Sequence, residues 1–208
     1  MHEFDPQVKR AAERIVKEVQ QRRSADERFL VAIDGGSGSG KSAVAAVVVD
    51  ELGAALVQGD DFFAAHVTDE GWAQRDAKAR VADCVDWRRL RREALEPLLD
   101  GKPARWHRID FASGVRADGT FNMLDEFTEC APANVIVLDG AYSARPELSD
   151  LIDLSVLVDV PVALRHKRLS TREDVGWLNA WHSRWDEAEE YYFTHVRPAS
   201  TFDLVVTN

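Results

Sequence analysis

Gly35-Gly36-Ser37-Gly38-Ser39-Gly40-Lys41-Ser42 decides how this chain reads. The octapeptide fits G-x-x-x-x-G-K-[ST] at every fixed position. Before it stands Phe29-Leu30-Val31-Ala32-Ile33, a short apolar run that reads as a buried strand. After it, Lys41 to Leu52 is rich in Ala and Val. Valine favours strands, but the glycine turn ahead and Gly53 behind make this segment a helix. Glycines let the backbone wrap an anion so that its N–H groups point inward. The helix that follows turns its positive dipole end toward the same anion. In such a loop Lys41 reaches the β- and γ-phosphates of a nucleotide and the Ser42 hydroxyl ligates Mg²⁺. Gly35, Gly36, Ser37, Gly38, Ser39, Gly40, Lys41 and Ser42 are therefore the candidate nucleotide-phosphate site. A flexible linker is the ordinary alternative, but a linker has no reason to join a buried strand to a helix.

Further out, strands and helices alternate. Pro6 to Arg23 reads as an amphipathic helix, with Val8, Ala12, Ile15 and Val19 at spacings of three and four. Ala55 to Gln58 reads as a strand, and one helix is expected near Trp72 to Ala82. Asp86 looks like the N-cap of a basic helix running to Leu99, kinked or split by Pro97 and stopped by Gly101. Ala104 to Phe111 and Thr120 to Phe127 flank Asp118-Gly119 as a hairpin with a long loop. Val135 to Leu138 and Leu154 to Val158 read as buried strands, Pro161 starts a helix, helical pattern resumes over Trp177 to Phe193, and Leu204 to Val206 closes as a strand. This order predicts an α/β fold with a mainly parallel sheet between helical layers.

The chain has 208 residues, the size of one domain with at most a small appended lid. Its formal net charge of −10 disfavours a nucleic-acid or anionic-membrane binder. Two cysteines, Cys84 and Cys130, are too few for a disulfide framework or a Cys-based zinc site and read as reduced thiols. The longest strictly apolar run, Ala43 to Val49, falls far short of the ~20 residues of a membrane helix, and the N-terminus lacks a signal-peptide pattern. A cytoplasmic location is expected, with a homo-oligomer left open. The six histidines show no metal spacing.

A phosphate loop announces NTP binding and leaves the outcome open between a small-molecule kinase, a GTPase or motor, and a nucleotide-binding regulatory module without turnover. No Asn-Lys-x-Asp guanine-reading motif and no Leu-Ser-Gly-Gly signature occurs. Asp60 follows the second predicted strand, at the carboxyl edge where ligands of open α/β sheets bind. There a carboxylate can orient an alcohol and take its proton. Asp139 ends the strand Val135 to Leu138, the position of a carboxylate that holds Mg²⁺ beside Ser42. Arg165, Arg168 and Arg172 recur at i, i+3 and i+7, on one helical face. Their positive charge suits a transferring phosphoryl group, and a solvated basic face is the alternative. Trp177, Trp181 and Trp185 recur at four-residue spacing as a packing face or a stacking surface.

The chain resembles the uridine kinase / phosphoribulokinase-like family of P-loop kinases. The resemblance runs from about Leu30 to Val206. It rests on the loop Gly35 to Ser42, on Gly59-Asp60-Asp61-Phe62-Phe63, on Val135 to Gly140 with Ala141-Tyr142, and on Asp159 to Asp174. It implies a three-layer α/β/α sandwich with a five-stranded sheet and a helical lid near residues 161–193. It implies ATP or another NTP as donor, Mg²⁺, and a small-molecule alcohol as acceptor. By the same resemblance Asp60 is the general base, Arg165, Arg168 and Arg172 sit on a lid that closes over the nucleotide, and Asp86 grips sugar hydroxyls. Phe63 and Phe111 fall in the acceptor pocket. Asp61 is expected as a structural neighbour or a contact to Mg²⁺-bound water. The pocket departs from the family: Phe63 replaces a Tyr, Ile109 an aromatic, Gly114 a base-contacting His, and Asp139 the usual Glu. A uridine- or cytidine-like nucleoside leads as acceptor, with a sugar or a pantothenate- or glycerate-like alcohol left open.

Overall fold

The computed structural model describes residues 5–25, 27–171 and 184–208. At its centre β1 (Phe29–Asp34) is buried along its whole length, as its unbroken apolar run requires. It pairs in parallel with β5 (Val135–Asp139) on one side and β6 (Leu154–Val158) on the other. β2 (Ala55–Gln58) extends the sheet beyond β5, and β7 (Leu204–Val206) extends it beyond β6. The order is β2-β5-β1-β6-β7, five strands with every neighbour parallel.

Helices cover both faces. α1 (Pro6–Arg22) starts at Asp5, whose carboxylate accepts the Gln7 N–H at 2.7 Å. Its buried stripe, Val8, Ala12, Ile15 and Val19, shares a core with Val44 and Val48 of α2 (Lys41–Leu52) and with Val31, Ile33, Val137 and Val156 of the sheet. Burial of those valines outweighs their modest helix propensity. On the opposite face Leu30, Val57, Ile136 and Leu138 pack against Leu90, Leu95, Leu98 and Trp106. The three-layer architecture with a five-stranded sheet is as expected.

Two local expectations change, and the expected break of the basic helix is seen. Two short helices, α3 (Asp69–Ala73) and α4 (Ala77–Asp83), replace the single helix near Trp72. Thr68 caps the first, and Asp76 caps the second by accepting the Ala79 N–H at 2.7 Å, so the chain restarts between them. The basic helix divides into α5 (Trp87–Leu90), a wide π turn at Arg91–Leu95, and α6 (Glu96–Leu99). Pro97 lacks an N–H, and the ladder widens just ahead of it. The hairpin is β3 (Ala104–Ile109) against β4 (Met123–Cys130), a separate two-stranded sheet with Ala104 opposite Cys130. β4 starts later than expected because the Phe121 N–H bonds to Ala65 O and the Thr120 hydroxyl to Asp118. After Pro161, α7 runs over Val162–Ser170. Residues 184–191 form a helix, α8, that widens into a π turn at Tyr192–Val196. Arg172, Trp177 and Trp181 lie outside the described residues. Among those residues no helix is long and apolar enough to cross a membrane.

Candidate active site

The glycine loop joins β1 to α2 at the carboxyl edge of the sheet. Gly38 and Gly40 take φ of +78° and +81°, a conformation that a side chain at either position would strain. Asp34, the last residue of β1, is fully buried and braces the loop from beneath. Its carboxylate accepts the N–H groups of Gly35 at 2.7 Å, Tyr142 at 2.9 Å and Ala144 at 3.0 Å, and the Tyr192 hydroxyl at 2.8 Å. Burial pushes this carboxyl above the ordinary Asp range, against the pull of those donors. Sequence reasoning missed Asp34. Its signal was an acid at the end of a wholly apolar strand.

Asp139 ends β5, side by side with Ile33 and Gln58 in the sheet. The Ser42 hydroxyl stands beside its carboxylate, whose Oδ1 is buried without a hydrogen-bond partner. Burial raises this carboxyl as well. A hard divalent cation takes oxygen ligands, and an unpartnered carboxylate oxygen beside a hydroxyl at the phosphate loop fits Mg²⁺. Among the described residues no cluster of three His, Cys, Asp or Glu forms a metal site.

Asp60 sits in a single 3₁₀ turn, Gly59–Phe62, directly after β2. It opens on a cavity of about 690 Å³ with Ser37, Lys41 and Glu189 at its phosphate end. Phe63, Phe111, Phe121, Val115, Tyr142 and Trp185 wall the rest. Phe63 anchors the aromatic wall, with ring centroids 5.7 Å from Trp72, 5.9 Å from Trp185 and 6.2 Å from Phe121. Trp185 thus both packs and faces the cavity. The neighbouring Asp61 turns inward, where its Oδ2 accepts the Trp106 indole N–H at 2.9 Å, so its role is structural. Cys84 also lines the cavity, but burial pushes its thiol up to about 12, out of the range of a nucleophile at neutral pH.

Tyr142 is the one described non-glycine residue with positive φ, +61°. The turn after Asp139-Gly140 holds it there, with its amide on Asp34 and its ring 4.7 Å from that of Tyr192.

Two of the three predicted arginines reach the loop from α7. The Arg165 guanidinium donates to Ser37 O at 3.0 Å and to Glu189 Oε2 at 2.7 Å. Arg168 donates to Ser39 O at 3.1 Å and to the Asn208 side chain at 2.8 Å. Glu189 was not legible as a site residue: four acids crowd α8, and only the fold turns this one inward. Asp86 is placed apart from these groups. It caps α5 by accepting the Arg89 N–H at 3.0 Å, and it is absent from the described residues lining the cavity.

The chain is 27% identical over 176 residues to a uridine kinase of Streptococcus uberis, covering 82% of this chain and 77% of that one. No family model matches. Among solved structures, a possible uridine kinase from Bacillus stearothermophilus superposes with TM-score 0.71 at 17% identity, over 96% of this chain and 98% of the other. A D-glycerate 3-kinase from Cryptococcus neoformans superposes with TM-score 0.63 at 12% identity, over 98% and 96%. These superpositions establish the fold alone. With the phosphate loop and the sequence likeness added, the chain is a small-molecule kinase, similar to the uridine kinases and with the fold of P-loop kinases.

Proposed function

We propose that the protein moves the γ-phosphoryl group of ATP to a hydroxyl of a nucleoside, in the cytoplasm and as one domain. The observation that carries this reading is the shared cavity: Asp60, Lys41 and Ser37 meet at one end of a chamber walled by aromatic rings. The loop amides and Lys41 hold the phosphates. Ser42 and Asp139 would hold Mg²⁺, which would supply positive charge to offset that of the nucleotide phosphates. Asp60 orients the acceptor hydroxyl for in-line attack and takes its proton. Arg165 and Arg168, with Arg172, neutralise the charge that builds on the transferring group. The aromatic walls stack on the acceptor's ring and keep water from competing.

A second reading keeps the mechanism and changes the acceptor. At the outer end Phe111, Gly114, Val115 and Phe121 offer no side-chain hydrogen-bond partner for the edge of a base. Specificity for a polar edge comes from such partners, so another alcohol is favoured there. The test is ADP release from Mg-ATP with uridine, cytidine, sugars, pantothenate and glycerate, with Asp60→Asn as the blank. Stimulation by a nucleoside that Asp60→Asn abolishes is the expected result. Stimulation by another alcohol alone selects the second reading. ATP binding with no turnover on any acceptor points instead to the regulatory module.

A further inference from the structure

A carboxylate is seated on the phosphate loop itself. Glu189 is buried, and its Oε1 accepts both the Ser37 N–H, at 2.8 Å, and the Ser37 hydroxyl, at 2.6 Å. Its Oε2 pairs with Arg165, whose same nitrogen also bonds Ser37 O. These are the kinds of group a phosphate uses on such a loop: an inward backbone N–H, a hydroxyl and an arginine. A second observation agrees. Gly36 occupies a variable position of the motif and has an ordinary φ, yet a Cβ there would meet the Arg165 guanidinium and would stand 2.8 Å from Glu189 Oε2. The glycine is needed for the ion pair to lie flat on the loop.

We infer that Glu189 is an internal competitor of the donor's phosphates for the Ser37 amide and for Arg165. The inference rests on the kinase reading only in taking the loop to bind nucleotide phosphate. Competition has two consequences. ATP binds more weakly than the same loop would allow without the carboxylate, because a like charge faces it and two donors are already engaged. The phosphates also act on α8 when they enter. Trp185 lies one turn before Glu189 on that helix and walls the acceptor cavity, so donor and acceptor sites share a moving part. Glu189 is a positioning residue here, since it acts through Arg165 and the loop.

The experiment is calorimetric titration of the full chain with Mg-ATP. Glu189→Gln keeps the shape and removes the charge, and the Kd should fall by about threefold or more. Glu190→Gln removes the same charge from an exposed position on the same helix and should leave Kd unchanged. A purely structural role predicts weaker binding by Glu189→Gln. That result, or an unchanged Kd, or an equal effect of both variants, overturns the inference. Hydrogen exchange on the unaltered chain gives a test independent of any variant's folding: Mg-ATP should protect 36–42 while exchange in 185–192 rises. Protection of both segments together overturns competition. Failure of the unaltered chain to bind Mg-ATP would instead remove the kinase reading, and this inference with it.

Discussion

The Tyr192 hydroxyl donates to Asp34 at 2.8 Å across 158 residues of chain, and both groups are buried. This bond fastens the π turn at Tyr192–Val196 to the strand end from which the phosphate loop springs. Tyr192→Phe removes one of four donors from a buried carboxylate and leaves the three backbone donors in place. Bonds to charged groups contribute about 1.5–3 kcal/mol, so stability should fall by roughly 2 kcal/mol in chemical unfolding.

Asp61→Asn tests a buried charge. Burial raises the Asp61 carboxyl above its unfolded value, against the Trp106 bond and the charge of Arg108. A raised folded pKa means that the folded chain binds more protons than the unfolded chain between the two values. The associated stability is therefore full below the unfolded value of 3.8 and is lost as pH rises through the folded one. An amide still accepts the Trp106 N–H and does not titrate. The unaltered chain should thus lose stability relative to Asp61→Asn as pH rises from about 4 toward neutrality. Unfolding free energies of the two chains across that range give the sign directly.

Gly36→Ala separates the loop's backbone from what rests on it. The φ of Gly36 is not left-handed, so an alanine adds no backbone strain. Its Cβ meets the Arg165 guanidinium and Glu189 Oε2, the free ends of two flexible side chains, so the ion pair they form must shift off the loop. Stability should stay within about 1 kcal/mol, while phosphoryl transfer falls by about tenfold or more. Thermal melts and ADP release on the same preparations decide it.

Asp86→Ala decides between the helix cap and a grip on the acceptor. The structure shows the cap. The variant should lose about 1 kcal/mol of stability and keep the KM for the acceptor. A large rise in that KM with little loss of stability would restore the role that the resemblance implied.

The sheet and the phosphate loop were legible because each is written locally. β2, β6, β7 and α2 have the limits read from apolar runs and glycine stops. Asp60 and Asp139 stand at strand ends, which a sequence marks. The split between α3 and α4 was hidden because it depends on Asp76 acting as a cap and not as a polar helical residue. Asp34 and Glu189 were hidden for a different reason. Their partners, Tyr192 and Ser37, lie more than 150 residues away; the strand-end position of Asp34 marked it without showing what it holds, and nothing local sets Glu189 apart from the solvated acids beside it.

The strand order has a consequence for synthesis. Among the described residues β1 pairs only with β5 and β6, and β2 pairs only with β5. A nascent chain therefore carries its two most N-terminal strands without sheet partners until residues 135–139 have left the ribosome. Long-range parallel pairing is slow, and an apolar strand left waiting is prone to associate with other chains. Folding should be late and cooperative, and truncations that end before Val135 should aggregate while still holding the entire phosphate loop.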